Sequence, residues 1–351
     1  MLPIPLDYPA MEAKLVGELP DGDGWQYEPK WDGFRCLAFK DADAIALRSK
    51  SGQPLERYFP EIVDAIGALA IPRCVLDGEL VVAQGDVLSF DTLLMRIHPA
   101  ESRIRKLSRE HPAVYVVFDL LVDEGGESLT EQPLEIRRAA LERFAARAFA
   151  GAPSLRLSPV TRSRTAADAW LDALGSGLDG VIAKRVELRY QSGDRTGMQK
   201  YKRMRTADCV VGGFRYGSKS HEVGSLLLGL FDDAGLLHHV GFTSNIAAAQ
   251  RSELTRKLEN LVGGPGFTGR APGGPSRWST ARSSEWQPLN TELVVEVQYD
   301  HFSGDRFRHG TKFLRWRPDK APQQCTLAQV KQESIATLAL LSAPAPRPIN
   351  P

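Results

Sequence analysis

Glu28-Pro29-Lys30-Trp31-Asp32-Gly33-Phe34-Arg35 is the stretch of this 351-residue chain on which the interpretation of the rest depends. It places a lysine two residues before an Asp-Gly pair, just ahead of a strand-like run at 35–40. One interpretation is a simple turn at Asp32-Gly33, with Lys30 and Arg35 as solvated charges. The other is a nucleophile presented on a turn. A lysine attacks only as the neutral amine, so this second interpretation requires neighbouring cations or a metal that lower the pKa of Lys30.

Charged residues recur beside apolar runs further along the chain, and their order is informative. The segments are LRSKSG at 47–52, LDGELV at 76–81, VVFDLL at 116–121, LDGVIAKR at 178–185, KYK at 200–202 and FLRWRPDK at 313–320. Lys200 and Lys202 are two residues apart, so on a strand both face the same side. The last segment is the densest basic patch, and it is interleaved with aromatic residues. The presence of these groups, and the order in which they occur, favour the interpretation of Lys30 as a nucleophile.

The distribution of strand-like and helix-like segments predicts two domains. Residues 1–205 read as an α+β domain, with strands at 35–40, 44–49, 74–82, 113–121 and 179–184 and helices at 58–69, 89–97, 133–149 and 165–175. Residues 206–328 favour a small β-barrel of the oligonucleotide/oligosaccharide-binding (OB) type, with strands at 208–216, 224–232, 235–242 and 291–299 and one helix near 246–261. Residues 329–351 are predicted to be a C-terminal tail.

Composition argues against several other classes. Lys and Arg number 44 against 43 Asp and Glu, so the net charge of +1 gives no overall attraction to nucleic acid and predicts modest affinity for DNA. No apolar run approaches the ~18 residues of a membrane span, and the N-terminus predicts no secretory signal. Cys36, Cys74, Cys209 and Cys325 form no CxxC pair, which fits a reducing cytoplasm. HExxH, GxSxG and Walker A patterns are absent from the sequence.

The ordered set of motifs resembles the covalent nucleotidyltransferases, and is most similar to compact bacterial ATP-dependent DNA ligases of the non-homologous end-joining type, the LigC and LigD class. The resemblance covers residues 1–325. It implies a nucleotidyltransferase (adenylation) domain followed by a small OB-fold β-barrel domain. It also implies an activity in which a lysine takes AMP from ATP and passes it to a DNA 5′-phosphate, after which the 3′-hydroxyl closes the backbone.

The resemblance also implies a role for each matching residue. Lys30 matches the nucleophile, and Phe118 matches the aromatic that stacks on adenine. Glu79 matches the nucleotide-binding carboxylate that hydrogen-bonds the ribose. Asp179, together with Glu79, matches the ligands of the divalent cation, Mg²⁺ with Mn²⁺ as the alternative; many members carry glutamate where this chain has Asp179. The nucleotide-binding set is completed by Glu28, Arg35, Arg48, Lys200 and Lys202. The two lysines of KYK are also expected to lower the pKa of Lys30.

The segment FLRWRPDK matches a motif of the second domain that swings over the active site and orients pyrophosphate as the leaving group. The residues expected to act there are Arg315, Arg317, Asp319 and Lys320. An alternative is a basic surface that faces DNA without acting in the first step. Arg103, Arg105, Lys106 and Arg109 are interpreted either as contacts to the DNA backbone or as a solvated loop.

Two other functions remain open. An RNA ligase or mRNA-capping nucleotidyltransferase uses the same lysine chemistry, and a catalytically weak DNA-end binding module retains the same fold. FLRWRPDK favours a DNA ligase over the first, and the presence of Lys30, Glu79, Lys200 and Lys202 argues against the second. The resemblance implies a monomer that acts in DNA repair in the bacterial cytoplasm, associated with the nucleoid and with no membrane. Its expected partners are duplex DNA with nicks or ends, a Ku-type end-binding protein and a primase-polymerase.

Overall fold

The computed structural model describes residues 1–85, 87–174, 178–218, 220–273, 285–331 and 339–342. The chain divides into two units, Met1–Lys202 with the short helix Ala339–Ser342, and Arg203–Gln332. Most of the predicted tail at 329–351 lies outside the described residues. In the described ranges, no helix combines the length and the apolar character needed to cross a bilayer.

Among its described residues before 203, the first unit has ten strands and five α-helices. The strands are β1 Lys14–Val16, β2 Trp25–Pro29, β3 Phe34–Asp41, β4 Ala44–Ser49, β5 Arg73–Gln84, β6 Val87–Leu88, β7 Ala113–Val122, β8 Leu155–Leu157, β9 Gly180–Arg185 and β10 Met198–Lys202. The helices are α1 Pro60–Gly67, α2 Phe90–Leu94, α3 Glu101–Glu110, α4 Leu134–Ala148 and α5 Arg164–Leu174. This mixture confirms the predicted α+β class.

These strands form two sheets that carry the charged motifs. One sheet has the order β4-β3-β5-β7-β8, with β6 paired to β5, and the other has the order β1-β10-β9-β2. β5 and β7 are buried along almost their whole length, because α1 and α4 cover one side of the sheet and a second apolar cluster, which includes Met11 and Tyr190, packs on Val75 and Leu121. Continuous apolar runs are what such doubly covered strands require. A charged side chain within β5 or β7 therefore enters a largely dry environment.

The second unit is rich in β-structure. It contains β11 Arg205–Tyr216, β12 Val223–Phe231, β13 Leu237–Thr243, α6 Ala248–Glu259, β14 Gln287–Pro288, β15 Val294–Tyr299, β16 Phe302–Ser303, β17 Arg306–Phe307 and β18 Lys312–Trp316. Its main sheet is antiparallel in the order β13-β12-β11-β15-β18, with β14 also paired to β11. The core lies between this sheet and side chains from α6 and the loop at Phe267. A β-rich second unit agrees with the predicted architecture.

One predicted loop is a helix. The segment with Arg103, Arg105, Lys106 and Arg109 forms α3, which buries Ile104 and Leu107 at a spacing of three residues. Ion pairs four residues apart, Glu101 with Arg105 and Lys106 with Glu110, lie on its exposed side. The interpretation as a solvated loop was wrong, because only two apolar residues in this charged stretch report the helical periodicity.

Candidate active site

Lys30 lies on the loop between β2 and β3. Its backbone N–H donates to the carbonyl oxygen of Gly180 at 3.0 Å, which ties this loop to the start of β9. The next residue is anchored as well, because the indole Nε1 of Trp31 donates to Ser158 Oγ at 2.9 Å. Gly180 is required where it stands, since a Cβ there would collide with the carbonyl oxygen of Tyr201 on the paired strand β10. The loop that carries Lys30 is thus fixed by a backbone hydrogen bond at Lys30 and a side-chain hydrogen bond at Trp31.

The ammonium group of Lys30 makes an ion pair with Asp179, with Nζ 2.8 Å from Oδ2. Burial alone would lower the pKa of Lys30, but the charge and hydrogen bond of Asp179 raise it above its ordinary value. The prediction that Lys200 and Lys202 lower the pKa of Lys30 was therefore wrong for this structure. A carboxylate in contact outweighs burial and the more distant lysines. Lys200 itself has a lowered pKa, because of its burial and the charges of Lys30 and Lys202.

A single pocket in the first unit brings together most of the predicted nucleotide-binding residues. Its lining includes the predicted residues Glu28, Lys30, Arg35, Glu79, Phe118 and Lys200, and also Ile182, Lys184, Met198, Glu12 and Lys50. Lys202 and Arg48 lie outside the described lining of this pocket. Lys202 follows Lys200 by two residues on β10, where both are partly buried.

Arg35 is held at one side of this pocket by Asp77. Arg35 Nε and Nη2 donate to the two carboxylate oxygens of Asp77, each at 2.6 Å, in a bidentate pair. The Asp77 side chain is fully buried, whereas Arg35 retains 19% exposure. The guanidinium carbon also lies 4.5 Å from the centre of the Phe118 ring. Asp77 belongs to the quoted LDGELV motif, but the sequence analysis gave it no role.

In the LRSKSG segment, Lys50 lines the pocket, whereas Arg48 is outside its described lining. The Arg48 guanidinium donates to the Glu56 carboxylate and to the carbonyl oxygen of Leu47. Lys50, two residues later, lines the pocket instead and makes an ion pair with Glu12 at 3.2 Å. Lys50 and Glu12 are site residues that the sequence analysis did not identify.

At another side of the pocket, Glu28 is held by two neighbours. Gln26 Nε2 donates to Glu28 Oε1 at 2.9 Å, and Lys184 Nζ lies 2.8 Å from Glu28 Oε2. The same Lys184 ammonium lies 4.3 Å from the centre of the Phe118 ring. Phe118 and Glu28 therefore share a neighbour that fixes both. Lys184 is part of the LDGVIAKR motif. Its contact with Glu28 depends on the pairing of β9 with β2, so the motif alone does not predict it.

Three carboxylates surround Lys30 closely enough to raise its pKa: Asp179, Asp32 and Glu79. One oxygen of Asp32 and one of Asp179 lie within 4.8 Å of each other. Burial raises the pKa of Glu79 to about 7, despite the opposing charges of Arg35 and Lys30. Carboxylate oxygens are the ligands that Mg²⁺ prefers, so Asp32 and Asp179 fit a divalent cation. Asp32 joins the predicted ligands Asp179 and Glu79 as a residue that the sequence analysis did not assign to a metal.

In the second unit, the predicted FLRWRPDK residues form an ion network. Arg317 Nη1 lies 2.8 Å and 3.0 Å from the two oxygens of Asp208, and Lys320 Nζ lies 2.6 Å from one of them. Arg317 also donates to Asp319, whose pKa is lowered to about 2 by those hydrogen bonds. Arg315 pairs with Glu296 at 2.7 Å. Asp208 and Glu296 come from β11 and β15, far from the motif in sequence, and were not predicted.

The α+β unit, with a lysine-containing pocket lined by residues of both its sheets, is a nucleotidyltransferase domain. Residues 12–202 match the family model described as ATP dependent DNA ligase domain. Residues 219–320 match the one described as ATP dependent DNA ligase C terminal region. The chain belongs to the ATP-dependent DNA ligase family.

Similar proteins cover nearly the whole chain. It is 42% identical over 345 residues to DNA ligase C2 of Mycolicibacterium smegmatis, covering 94% of this chain and 96% of that one. It is 41% identical over 353 residues to DNA ligase C of Mycobacterium tuberculosis, covering 96% and 98%. A solved structure of a Lig E DNA ligase matches the fold with a TM-score of 0.56 and 18% identity, covering 88% of this chain and 99% of that one.

Proposed function

We propose that this chain is an ATP-dependent DNA ligase that seals nicks and ends in duplex DNA through a lysyl-AMP intermediate on Lys30. The observation that carries this proposal is the pocket in which Lys30 lies with Arg35, Glu79, Phe118 and Lys200. Its membership of the ATP-dependent DNA ligases favours this function over RNA ligation or mRNA capping. It equally favours a working enzyme over a catalytically weak end-binding module.

The first step joins Lys30 to AMP. The neutral Nζ attacks the α-phosphorus of ATP, a P–N bond forms, and the P–O bond to pyrophosphate breaks. For this, Lys30 leaves its ion pair with Asp179 and gives up a proton to water. Lys200 and Lys50 neutralise phosphate charge, which is the main way a protein accelerates phosphoryl transfer. Phe118 stacks on adenine, and Glu28 accepts from the base while Gln26 and Lys184 hold it in place.

Two further transfers complete the reaction. An oxygen of the DNA 5′-phosphate attacks the AMP phosphorus and the P–N bond breaks, which returns Lys30. The 3′-hydroxyl then attacks the activated 5′-phosphate, and AMP leaves as the backbone closes. Asp179, Asp32 and Glu79 would hold a divalent cation, Mg²⁺ or Mn²⁺, which supplies charge neutralisation at the phosphates.

The second unit contributes the charged network on β18 and the loop after it. Arg315, Arg317, Asp319 and Lys320 orient the pyrophosphate leaving group in the first step. Asp208 fixes Arg317 and Lys320 relative to each other, with contacts of 2.6–3.0 Å. Arg315 is the most exposed of the three cations, at 63%, so it is the one best placed to meet a phosphate.

The names of its relatives support a proposal for the setting in which the enzyme works. Several are named DNA ligase C, and a more distant relative from Mycobacterium tuberculosis is named multifunctional non-homologous end joining DNA repair protein LigD. We place this chain in the repair of DNA breaks in the bacterial cytoplasm, associated with the nucleoid, acting as a monomer. The near-neutral charge gives little affinity for DNA on its own. A Ku-type end-binding protein and a primase-polymerase are the partners that bring it to its substrate.

The test is transfer of label from nucleotide to protein. Purified chain is stripped of bound AMP with pyrophosphate, incubated with α-labelled ATP or GTP and Mg²⁺, and resolved by denaturing electrophoresis. We expect label from ATP on wild type and on Lys106→Ala, an exposed lysine of α3, and none on Lys30→Ala. Label from GTP alone would support an mRNA-capping nucleotidyltransferase. Absence of label from both nucleotides would refute the enzyme and support a catalytically weak DNA-end binding module. Nicked DNA then tests sealing.

A further inference from the structure

We propose that Tyr190 is a positioning residue for Arg35 and thereby sets the affinity of the enzyme for ATP. This inference rests on the proposed role of Arg35 in gripping the nucleotide. Tyr190 lies between β9 and β10, outside the motifs quoted from the sequence, and its side chain is buried. It reaches the site through Asp77, the carboxylate that holds Arg35.

The tyrosine hydroxyl has two hydrogen-bond partners. It donates to Asp77 Oδ2 at 2.7 Å and accepts from the backbone N–H of Met11 at 2.8 Å. Because the Met11 N–H is a donor, the single hydroxyl proton goes to Asp77. The hydrogen-bond direction is therefore fixed by the structure. Tyr190 joins the N-terminal segment to a carboxylate that is 0% exposed.

Asp77 in turn has both oxygens occupied by donors from Arg35 and Tyr190. Arg35 Nε reaches Oδ1 and Nη2 reaches Oδ2, and the Tyr190 hydroxyl also reaches Oδ2. A carboxylate with three donors at 2.6–2.7 Å has little freedom to rotate. The Arg35 guanidinium is then held in one orientation, next to Phe118 in the pocket.

The tyrosine ring is held separately from its hydroxyl. The Arg137 guanidinium carbon lies 5.5 Å from the ring centre, and the Tyr8 ring stacks on it with centroids 6.1 Å apart. Replacement by phenylalanine keeps these ring contacts. It removes one donor to Asp77 and the acceptor for Met11. Tyr190→Phe is thus a selective test of the hydroxyl.

Tyr115→Phe is a matched control. Tyr115 is also fully buried, and its hydroxyl lies 2.9 Å and 3.0 Å from the carbonyl oxygens of Cys36 and Leu76. These two residues are the sequence neighbours of Arg35 and Asp77. The control therefore removes a buried tyrosine hydroxyl that contacts β3 and β5, the strands of Arg35 and Asp77, without removing a donor from Asp77.

The experiment measures steady-state sealing of a nicked duplex at varied ATP, with thermal unfolding of each variant in parallel. We expect Tyr190→Phe to raise the KM for ATP about tenfold, the scale of one hydrogen bond to a charged group, with kcat within twofold of wild type. Tyr115→Phe should lower the unfolding temperature comparably and leave the KM for ATP within twofold. If Tyr190 had only a structural role, both variants would have lower unfolding temperatures and neither would have a changed KM for ATP.

Arg35→Ala, alone and combined with Tyr190→Phe, separates this inference from the role of Arg35. If Tyr190 acts through Arg35, the double variant has the KM of Arg35→Ala, with no further increase. Equal KM values for Tyr190→Phe and Tyr115→Phe, or a fall in kcat at unchanged KM, would overturn the inference while leaving Arg35 in its role. An unchanged KM in Arg35→Ala would refute the role of Arg35 and this inference with it.

Discussion

Removal of the Asp119 charge should destabilise the first unit more than any surface substitution. Asp119 follows Phe118 on β7 and faces Arg137 of α4, whose Nε and Nη2 donate to its two oxygens at 2.9 Å each. The side chains are 3% and 2% exposed. Arg137 also donates to the carbonyl oxygens of Gln132 and Leu188, so it is fixed from three sides. Asp119→Asn leaves this guanidinium buried without a counter-charge.

Breaking a buried pair by neutralising one partner costs about 3–5 kcal/mol, because the remaining charge has lost both water and its partner. For a unit of this size, each kcal/mol corresponds to roughly 2–4 °C in unfolding temperature, so we expect a loss of about 10 °C. Replacing both residues, Asp119→Leu with Arg137→Met, should recover part of the loss, since no unpaired charge then remains buried.

The assay is thermal unfolding at pH 7 followed by circular dichroism, for the single variants and the double variant. The control is Glu101→Gln, which neutralises one partner of an exposed pair on α3 with side chains 66% and 64% exposed. That change should be within measurement error, because solvent screens such pairs. A loss below about 1 kcal/mol for Asp119→Asn, or a double variant less stable than both single variants, would refute this reasoning about burial.

The pH dependence gives a second check on the same pair. Burial alone would raise the pKa of Asp119, but the charge and hydrogen bonds of Arg137 hold it below its ordinary value. A carboxyl whose pKa is lower in the folded state stabilises the fold above its unfolded pKa of about 4. That contribution is lost as the pH falls toward the folded pKa. The difference in stability between wild type and Asp119→Asn should therefore shrink below about pH 4 and be constant from pH 5 to 7.

Three further predictions concern the proposed chemistry. Lys200→Ala should slow lysyl-AMP formation by roughly 10²–10³-fold in the labelling assay, since it removes a preorganised cation from the phosphate site, and a change below threefold would contradict that role. Phe118→Leu should raise the KM for ATP about tenfold or more through lost stacking, measured by nick sealing at varied ATP, and an unchanged KM would show that the ring is only core. Asp208→Asn should slow lysyl-AMP formation but leave the sealing of pre-adenylylated nicked DNA within twofold. Equal losses in both steps would instead indicate a general loss of the second unit.

The parts of the fold that sequence predicts well are those whose burial is continuous. β3, β5 and β7 are found from their apolar runs, because strands covered on both faces need such runs. β1 and β8 were missed, since three residues carry no periodicity and each exists only through pairing with a distant strand. α3 was also missed, because Ile104 and Leu107 are the only buried residues among its ten and give too little helical periodicity.

The residues of the pocket likewise divide into those that the sequence predicts and those that it does not. Residues that act within a motif, such as Lys30 and Lys200, were predicted because local order is enough to suggest the chemistry. The residues that hold them were not, because the partners are far apart in sequence. Tyr190 contacts Asp77 from 113 residues away and Arg317 contacts Asp208 from 109. Such contacts are set by strand pairing and helix packing, which a motif read along the chain does not contain.

The contrast between two ion pairs shows how the site balances order against chemistry. The Arg35–Asp77 pair is bidentate, its carboxylate is fully buried, and Tyr190 supplies a third donor. Opening this pair would leave the charge of Asp77 buried without its counter-charge. The Lys30–Asp179 pair has one contact, with side chains 19% and 10% exposed to solvent. It holds Lys30 protonated in the unliganded site, and the lysine is released at a smaller cost. The proposed contact of Arg35 with the nucleotide therefore rests on a pair that stays closed, whereas the pair that restrains the proposed nucleophile, Lys30, opens more easily.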